Sequence, residues 1–276
     1  LFPSSAVSES PPRNKTSLVF RSLWSMLTMR SDKSSIYRSK IARSGKDSVA
    51  VVLSNAGGVT VDRLKALSKK FKYSINDILT CIISMSLGKA PIAPDFVSSV
   101  IWVSLEKDYD AVIDPKKWDN SKLGFGYIQL PLGVADPLEC LATCHARLRA
   151  LKASADPLVI NKALKCIGRL PRRLGKCISA QTADKASVSM SNLVGPTSQV
   201  QWPVNESSGG WPIESLHFAT SPPFHFGPLF SVLSYNNGFY LSIAARADML
   251  SSEELNVLAN QSFVDAVEAL KGVEMS

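Results

Sequence analysis

Apolar residues between positions 47 and 272 recur with two different spacings, and these spacings predict alternating helices and strands. Residues three and four apart form one face of a helix, whereas short runs rich in β-branched and aromatic residues fit strands. The predicted strands cover residues 49–53, 96–105, 123–130 and 187–190, followed by a hairpin whose turn is Asn237-Gly238. The predicted helices begin at or beside Thr60, Ser74, Asp136, Pro157 and Ser251.

The helix that follows Ser74 carries the strongest local signals. Ser74 and Asp77 fit a capping box, in which the serine hydroxyl and the aspartate carboxylate each accept a backbone N–H. Apolar residues then surround most of the helix as far as Gly88, so we expect it to be buried nearly all round. Ser251 and Glu254 repeat the capping pattern at the start of the last helix.

The order of these elements predicts a mixed α/β (α+β) domain of two layers over residues 47–272. Residues 1–46 are rich in Ser, Pro, Lys and Arg and show almost no periodicity, so we expect a basic, largely irregular segment. The chain has no internal repeat, no glycine-rich phosphate loop and no nucleic-acid-binding module.

Positive charge is concentrated in two places. Residues 13–46 hold nine basic residues and one acid, Asp32, which accounts for the whole net charge of +8. A second cluster has no acidic residue near it and consists of Lys162, Lys165, Arg169, Arg172, Arg173 and Lys176. Each cluster fits either a solvated surface or a contact with phosphates. A nucleic-acid partner is not expected, because few aromatic residues are interspersed and the rest of the chain is neutral.

The five cysteines indicate reduced thiols, since their number is odd and no pair has Cys-x-x-Cys spacing. Cys140 and Cys144 lie beside His145, but a metal site needs further ligands, so core packing is the favoured interpretation. No apolar run is long enough to cross a membrane, and the first residues do not resemble a signal peptide. Because residue 1 is Leu, we expect a processed product or a fragment.

Few side chains suggest chemistry by themselves. Asn76 and Asp77 stand at a helix start, where capping alone explains them. Asn192 is predicted to end a strand just before Gly195-Pro196, which is also an ordinary turn signal. The three histidines, His145, His217 and His225, lack the neighbours of a known catalytic motif and fit structural roles.

Taken in order, however, six motifs resemble one family, the wax ester synthase/diacylglycerol acyltransferases. Its Val-Asn-Asp-Val-Val-Leu helix start is similar to the segment from Ile75 to Leu79. The other matching segments are Leu123–Gly126 with Leu130–Pro137, Leu148–Ser154, Ser191–Pro196, Ser234–Gly238 and Ala247–Asp248. Val194 stands where the family has the first proline of its Pro-Gly-Pro turn.

The resemblance implies the C-terminal domain of a CoA-dependent, chloramphenicol acetyltransferase-like fold, with the active-site tunnel between two domains. It implies transfer of a long fatty acyl group from acyl-CoA to a fatty alcohol or to diacylglycerol. The family's general-base histidine belongs to a His-His-x-x-x-Asp-Gly motif that this sequence does not contain, so no catalytic residue is assigned here and the base is expected upstream. Neither a metal nor a cofactor is implied, because acyl-CoA is a substrate.

The resemblance also implies supporting residues and partners. The expected tunnel wall consists of Asn76, Asp77, Ser191, Asn192 and Gly195. The second basic cluster is a candidate contact for the phosphates of CoA or of a membrane. The implied partners are acyl-CoA, the acyl acceptor, the N-terminal catalytic half and an anionic membrane surface, on the cytoplasmic face of the endoplasmic reticulum or plasma membrane. The alternative is a non-catalytic domain, derived from such an enzyme, that binds acyl lipid or a membrane surface.

Overall fold

The structure is a computed structural model that describes residue 24 and residues 48–89, 95–105, 123–183, 185–202, 210–221 and 227–273. Within these residues a six-stranded mixed sheet packs against helices on both faces, with the main core on one of them, which confirms the predicted α/β class. The strands are β1 (Val49–Ser54), β2 (Phe96–Ser104), β3 (Leu123–Pro131), β4 (Val188–Val194), β7 (Leu229–Tyr235) and β8 (Gly238–Arg246), with β5 (Gln201–Trp202) and β6 (Trp211–Pro212) forming a separate pair.

The order of strands across the sheet is β1-β8-β7-β4-β2-β3. Strand β4 is central and runs parallel to both of its neighbours, β2 and β7, whereas the remaining pairs are antiparallel. The carboxyl ends of β2, β4 and β7 therefore meet at one edge of the sheet. Residues near the carboxyl ends of these three strands are therefore close together in space.

In the described residues from 48 onward, seven α-helices connect and cover the strands, and most begin at the residues that the sequence indicated. They are α1 (Val61–Phe71), α2 (Ile75–Gly88), α3 (Pro137–Ala153), α4 (Asp156–Ile167), α5 (Arg172–Ala183), α6 (Ser252–Val257) and α7 (Phe263–Gly272). Thr60 caps α1, Asp136 caps α3, and both predicted capping boxes are formed. A single π-helical turn, Leu258–Ser262, joins α6 to α7.

Helix α2 lies at the centre of the main hydrophobic core, between the sheet and helices α3 and α7. Ten of its residues are buried, as its all-round apolar pattern predicts. The thiols of Cys81, Cys140 and Cys144 are reduced and buried where α2 meets α3. Hydrogen bonds from Cys144 and then Cys81 lower the pKa of the Cys140 thiol. Core packing is thus the role of these cysteines in the structure.

Some predicted details were wrong. Strand β4 continues to Val194, so Asn192 lies inside the strand and does not end it. The hairpin turn is Asn236-Asn237, one residue earlier than predicted, because both asparagines have positive φ and Gly238 already pairs with Tyr235. The pair β5/β6 was not among the predicted strands. The predictions for residues 1–46 other than Trp24 and for His225 lie outside the described residues.

Candidate functional site at the start of helix α2

A hydrogen bond joins two of the predicted wall residues directly. The side-chain nitrogen Nδ2 of Asn192, on β4, donates to Oδ1 of Asn76, on α2, over 2.8 Å. The two residues are 116 positions apart in the chain, and both side chains are half-buried. Asn76 does not cap the helix, because Ser74 holds that position. The simple capping role considered for Asn76 is therefore wrong, and its side chain links helix α2 to the central strand.

The pleat of β4 explains why Asn192 faces α2. Alternate residues of a strand point to the same side, so Val188, Met190 and Asn192 share one face. The first two belong to the main core, and Oγ1 of Thr80, one turn beyond Asn76, lies 3.6 Å from Sδ of Met190. Helix α2 therefore runs alongside β4. The contacts of the second turn of α2 with β4 fix the distance between Asn76, in the first turn, and Asn192 on the strand.

Asp77 fixes the start of α2 from the opposite side. Its buried carboxylate oxygen Oδ2 accepts the backbone N–H of Ser74 at 2.9 Å and the Ser74 hydroxyl at 2.7 Å. The same oxygen lies 3.1 Å from Nδ1 of His145 on α3. The His145 ring also packs against Tyr73, with 4.6 Å between ring centroids. Asp77 thus joins α3 to the turn that carries Asn76.

Sequence reasoning missed His145 as a partner in this site. It was considered only beside Cys140 and Cys144, whereas its hydrogen-bonding partner lies 68 residues earlier in the chain. The only available signal was the helical spacing that places His145 next to the buried Cys144 on α3. That spacing puts the ring at the edge of the α2–α3 contact, where an acid at the start of α2 can reach it.

Gly195 lies at the same end of the sheet as Asn192. Its backbone N–H donates to the carbonyl of Ser234 at 2.9 Å, and a Cβ atom at this position would stand 2.5 Å from that same oxygen. Only glycine permits this approach of the two backbones. Gly195 therefore holds the end of β4 against β7, which explains the glycine in the predicted wall.

Ser191 is the predicted wall residue that the structure separates from the others. As the neighbour of Asn192 in a strand, it points to the opposite face of the sheet. There it lies in register with Ser231 on β7, which in turn pairs with Ser242 on β8. Among the described residues, the buried hydroxyls of Ser231 and Ser242 have no hydrogen-bond partner, and neither does Nδ1 of His217. Burial lowers the pKa of His217, which favours the neutral ring.

The six predicted phosphate contacts lie on another part of the domain from the two amides. All six are exposed, on α4, on α5 and on the connection between them. Ile160 of α4 packs with Val100 and Phe125, whose side chains point away from the face that α2 covers. The basic cluster and the Asn76–Asn192 pair therefore lie on opposite faces of the sheet.

The described part of the chain contains neither a cluster of metal ligands nor a helix that could span a membrane. No three histidine, cysteine, aspartate or glutamate side chains there are grouped so that they could hold a metal ion. None of the helices described is both long enough and apolar enough to span a membrane.

Solved structures with the same arrangement define the class of fold. A wax ester synthase/diacylglycerol acyltransferase from Marinobacter aquaeolei VT8 is 13% identical, with a TM-score of 0.55 over 93% of this chain and 56% of that chain. The epimerization domain from the third module of tyrocidine synthetase B is 11% identical, with a TM-score of 0.56 over 92% of this chain and 55% of that chain. The first condensation domain of the calcium-dependent antibiotic synthetase is 12% identical, with a TM-score of 0.56 over 92% of this chain and 52% of that chain. The fold is thus that of condensation and chloramphenicol acetyltransferase-like domains, and this chain spans about half of each of these proteins.

The family itself is shown by the sequence. Residues 119–269, more than half of the chain, match the family described as the WS/DGAT C-terminal domain. The chain therefore belongs to the wax ester synthase/diacylglycerol acyltransferase family. No curated protein matches the chain in a search by sequence.

Proposed function

We propose that this chain is the C-terminal part of an O-acyltransferase that moves a long-chain fatty acyl group from acyl-CoA to a fatty alcohol or diacylglycerol. The observation that carries this proposal is the match of residues 119–269 to the C-terminal domain of that family. The products would be wax esters or triacylglycerol. The acyl donor, the acceptor and an N-terminal half with the general-base histidine are the partners that this reaction requires.

The chemistry needs a base, an electrophile and a group that stabilises developing charge. The histidine of the N-terminal half would take the proton of the acceptor hydroxyl, and the resulting oxygen nucleophile would attack the thioester carbonyl. The bond to sulfur then breaks and CoA leaves as the thiol. No metal or redox cofactor takes part in these steps.

The Asn76–Asn192 pair is suited to the wall of such a site. The pair uses Oδ1 of Asn76 and Nδ2 of Asn192, and no other partner of either amide is recorded among the described residues. The amide nitrogen of Asn76 therefore remains a donor that is already oriented. We propose that it faces the carbonyl oxygen on which negative charge develops, where a preorganised donor has its largest effect. Asp77, His145 and Gly195 act as positioning residues for this pair.

Membrane association is the second part of the proposal. Long-chain alcohols and diacylglycerol reside in membranes, and residues 13–46 carry net charge that favours an anionic surface. We place the enzyme on the cytoplasmic face of the endoplasmic reticulum or plasma membrane.

The proposal is tested with two purified proteins, this chain alone and this chain joined to a family N-terminal half that carries His-His-x-x-x-Asp-Gly. Palmitoyl-CoA and hexadecanol are supplied, and ester formation is measured. We expect turnover only in the joined protein, because loss of a general base lowers rates by roughly 10²- to 10⁴-fold.

Equal turnover by the chain alone would refute the assignment of the base to the N-terminal half. A joined protein that binds acyl-CoA but never forms ester would favour a non-catalytic lipid-binding domain instead. An Asn192→Ala variant of the joined protein serves as a control for the site, since it removes the partner of Asn76 without touching the histidine motif.

A further inference from the structure

Residues 158–178, which form most of α4 and α5 and the link between them, have an unusual surface for a soluble domain. We call this segment the basic arm. It contains all six cations of the second cluster, and no acidic residue lies within it. Four leucines in the same segment are also exposed, Leu158 by 47%, Leu164 by 40%, Leu170 by 38% and Leu174 by 50%. Positive charge and apolar side chains thus occupy one continuous stretch of surface.

Helix α5 is the clearest part of this arrangement. It is 12 residues long, and none of its described side chains is buried. At 100° per residue, Arg172, Arg173 and Lys176 fall on one side and Leu174 and Ile178 on the opposite side, with Cys177 between Arg173 and Leu174. A helix with a basic face and an opposed apolar face has the pattern of helices that lie in the plane of a membrane surface.

The position of the charges also argues that they serve a contact. Arg172 and Arg173 are the first two residues of α5, and no acid lies in that first turn. The positive end of the helix dipole is at the N-terminus, so two cations there weaken the helix. Acidic residues would stabilise this turn. The two arginines are better explained by an anionic partner than by the folding of α5.

We propose that the basic arm docks this protein on an anionic phospholipid bilayer, with the cations at the lipid phosphates and Leu170 and Leu174 inserted at shallow depth. The exposed leucines distinguish a bilayer from free CoA, whose phosphates need cations but no apolar side chains. Long basic side chains can reach phosphates while their aliphatic stems cover apolar surface. This inference extends the proposed membrane association to a second surface, within the folded domain, and is independent of catalysis.

Binding is measured by co-sedimentation of the 276-residue chain with vesicles of phosphatidylcholine alone or with phosphatidylglycerol added. The arm variant is Arg172→Glu/Arg173→Glu/Lys176→Glu. The matched control is Lys65→Glu/Lys69→Glu/Lys72→Glu, three exposed lysines on or beside α1 with the same change in charge. We expect the arm variant to bind anionic vesicles at least tenfold more weakly than the control variant, since each cation contributes roughly fivefold. Because the new glutamates favour the helix dipole, circular dichroism and melting should show α5 intact.

Insertion of the apolar face is tested separately. Cys166 and Cys177 are exposed, whereas the other three cysteines are buried, so a fluorophore that responds to polarity can be attached selectively to Cys177 in a Cys166→Ser background. We expect a blue shift on anionic vesicles that Leu170→Ser/Leu174→Ser reduces by more than half. A label placed at Lys65→Cys should show no shift.

The proposal is overturned if the arm and control variants lose binding equally, which would reduce the effect to net charge. It is also overturned if the Cys177 label stays in water when the protein is bound, or if free CoA at micromolar concentration displaces the protein from vesicles. Each of these results can occur whether or not the joined protein forms ester, so failure of the docking inference is distinguishable from failure of the proposed function.

Discussion

The start of α2 and the basic arm are opposites in construction. At the start of α2, Asn76 and Asp77 are held by hydrogen bonds to Asn192, Ser74 and His145. In the arm, helix α5 buries no described side chain and has no capping acid. The start of α2 holds a few polar atoms in fixed positions, whereas the basic arm presents several exposed cations that can replace one another. The difference fits our two proposals, a site for chemistry on one face of the sheet and a surface for membrane attachment on the other.

The largest effect is expected from Asp77→Ala. The variant removes one buried oxygen that serves the Ser74 backbone, the Ser74 hydroxyl and His145, so that three groups lose their partner together. We expect the free energy of unfolding to fall by about 3 kcal/mol in urea titrations. His145→Ala, which removes only one of these contacts, should cost about 1 kcal/mol. A loss below that of His145→Ala would show that Asp77 does not organise this end of α2.

Asn76→Ala should affect activity more than stability. In the joined enzyme we expect kcat/KM to fall by roughly 10²-fold, as for removal of a preorganised donor. Unfolding should become easier by only about 1 kcal/mol, because one half-buried hydrogen bond is lost. Kinetics and melting of the same preparation separate the two effects. A destabilised variant that keeps full activity would assign Asn76 a purely structural role.

A double-mutant cycle with Asn192→Ala sharpens this result. If the two amides act as a pair, the double variant should lose little more activity than either single variant. Additive losses would mean that the two residues act at separate places.

Two glycines, one near the Asn76–Asn192 pair and one in the basic arm, allow backbone packing in the two regions to be compared. Gly195→Ala would place a methyl group 2.5 Å from the Ser234 carbonyl oxygen, whereas at Gly168, in the arm, the nearest atom would be 3.5 Å away. We expect Gly195→Ala to destabilise the protein by about 2 kcal/mol. Gly168→Ala should change stability by less than about 0.5 kcal/mol. Chemical denaturation of both variants tests this, and equal effects would contradict the tight packing at the end of β4.

The smallest effect is expected from cysteine modification. Cys166 and Cys177 lie exposed in the arm, whereas Cys81, Cys140 and Cys144 are buried beside α2. Under native conditions iodoacetamide should modify two cysteines without changing the melting temperature, and all five should react only in denaturant. Mass spectrometry identifies the labelled positions. Rapid native labelling of Cys140 would show that its lowered pKa is accompanied by access to solvent.

Local signals predicted the elements well, because capping boxes and apolar spacing depend on residues close together in the chain. Ser74–Asp77 and Ser251–Glu254 cap helices as predicted. The resemblance to the family selected Asn76 and Asn192, but their direct hydrogen bond depends on β4 continuing past a segment with strong turn signals. Likewise, the contact of His145 with Asp77 depends on how α3 packs on α2, and no spacing within one helix reveals it.

For the basic arm, the sequence revealed the charges but not the exposure of the apolar side chains. Its six cations were evident from the sequence, and so was the absence of acids. The leucines between them fit a buried helix face equally well, so only their exposure in the structure distinguishes a docking surface from ordinary core. The placement of Ser191 on the other face from Asn192 similarly required knowledge of which face of β4 the helices cover.

The most direct test of the two separate roles uses the joined enzyme with two acceptors, a short water-soluble alcohol and diacylglycerol carried in anionic vesicles. We expect Asn76→Ala to lower the transfer rate with both acceptors. We expect Arg172→Glu/Arg173→Glu/Lys176→Glu to lower the rate only with the vesicle-borne acceptor. If the arm variant lowered the rate equally with the soluble alcohol, the arm would act on acyl-CoA and the separation of the two faces would be contradicted.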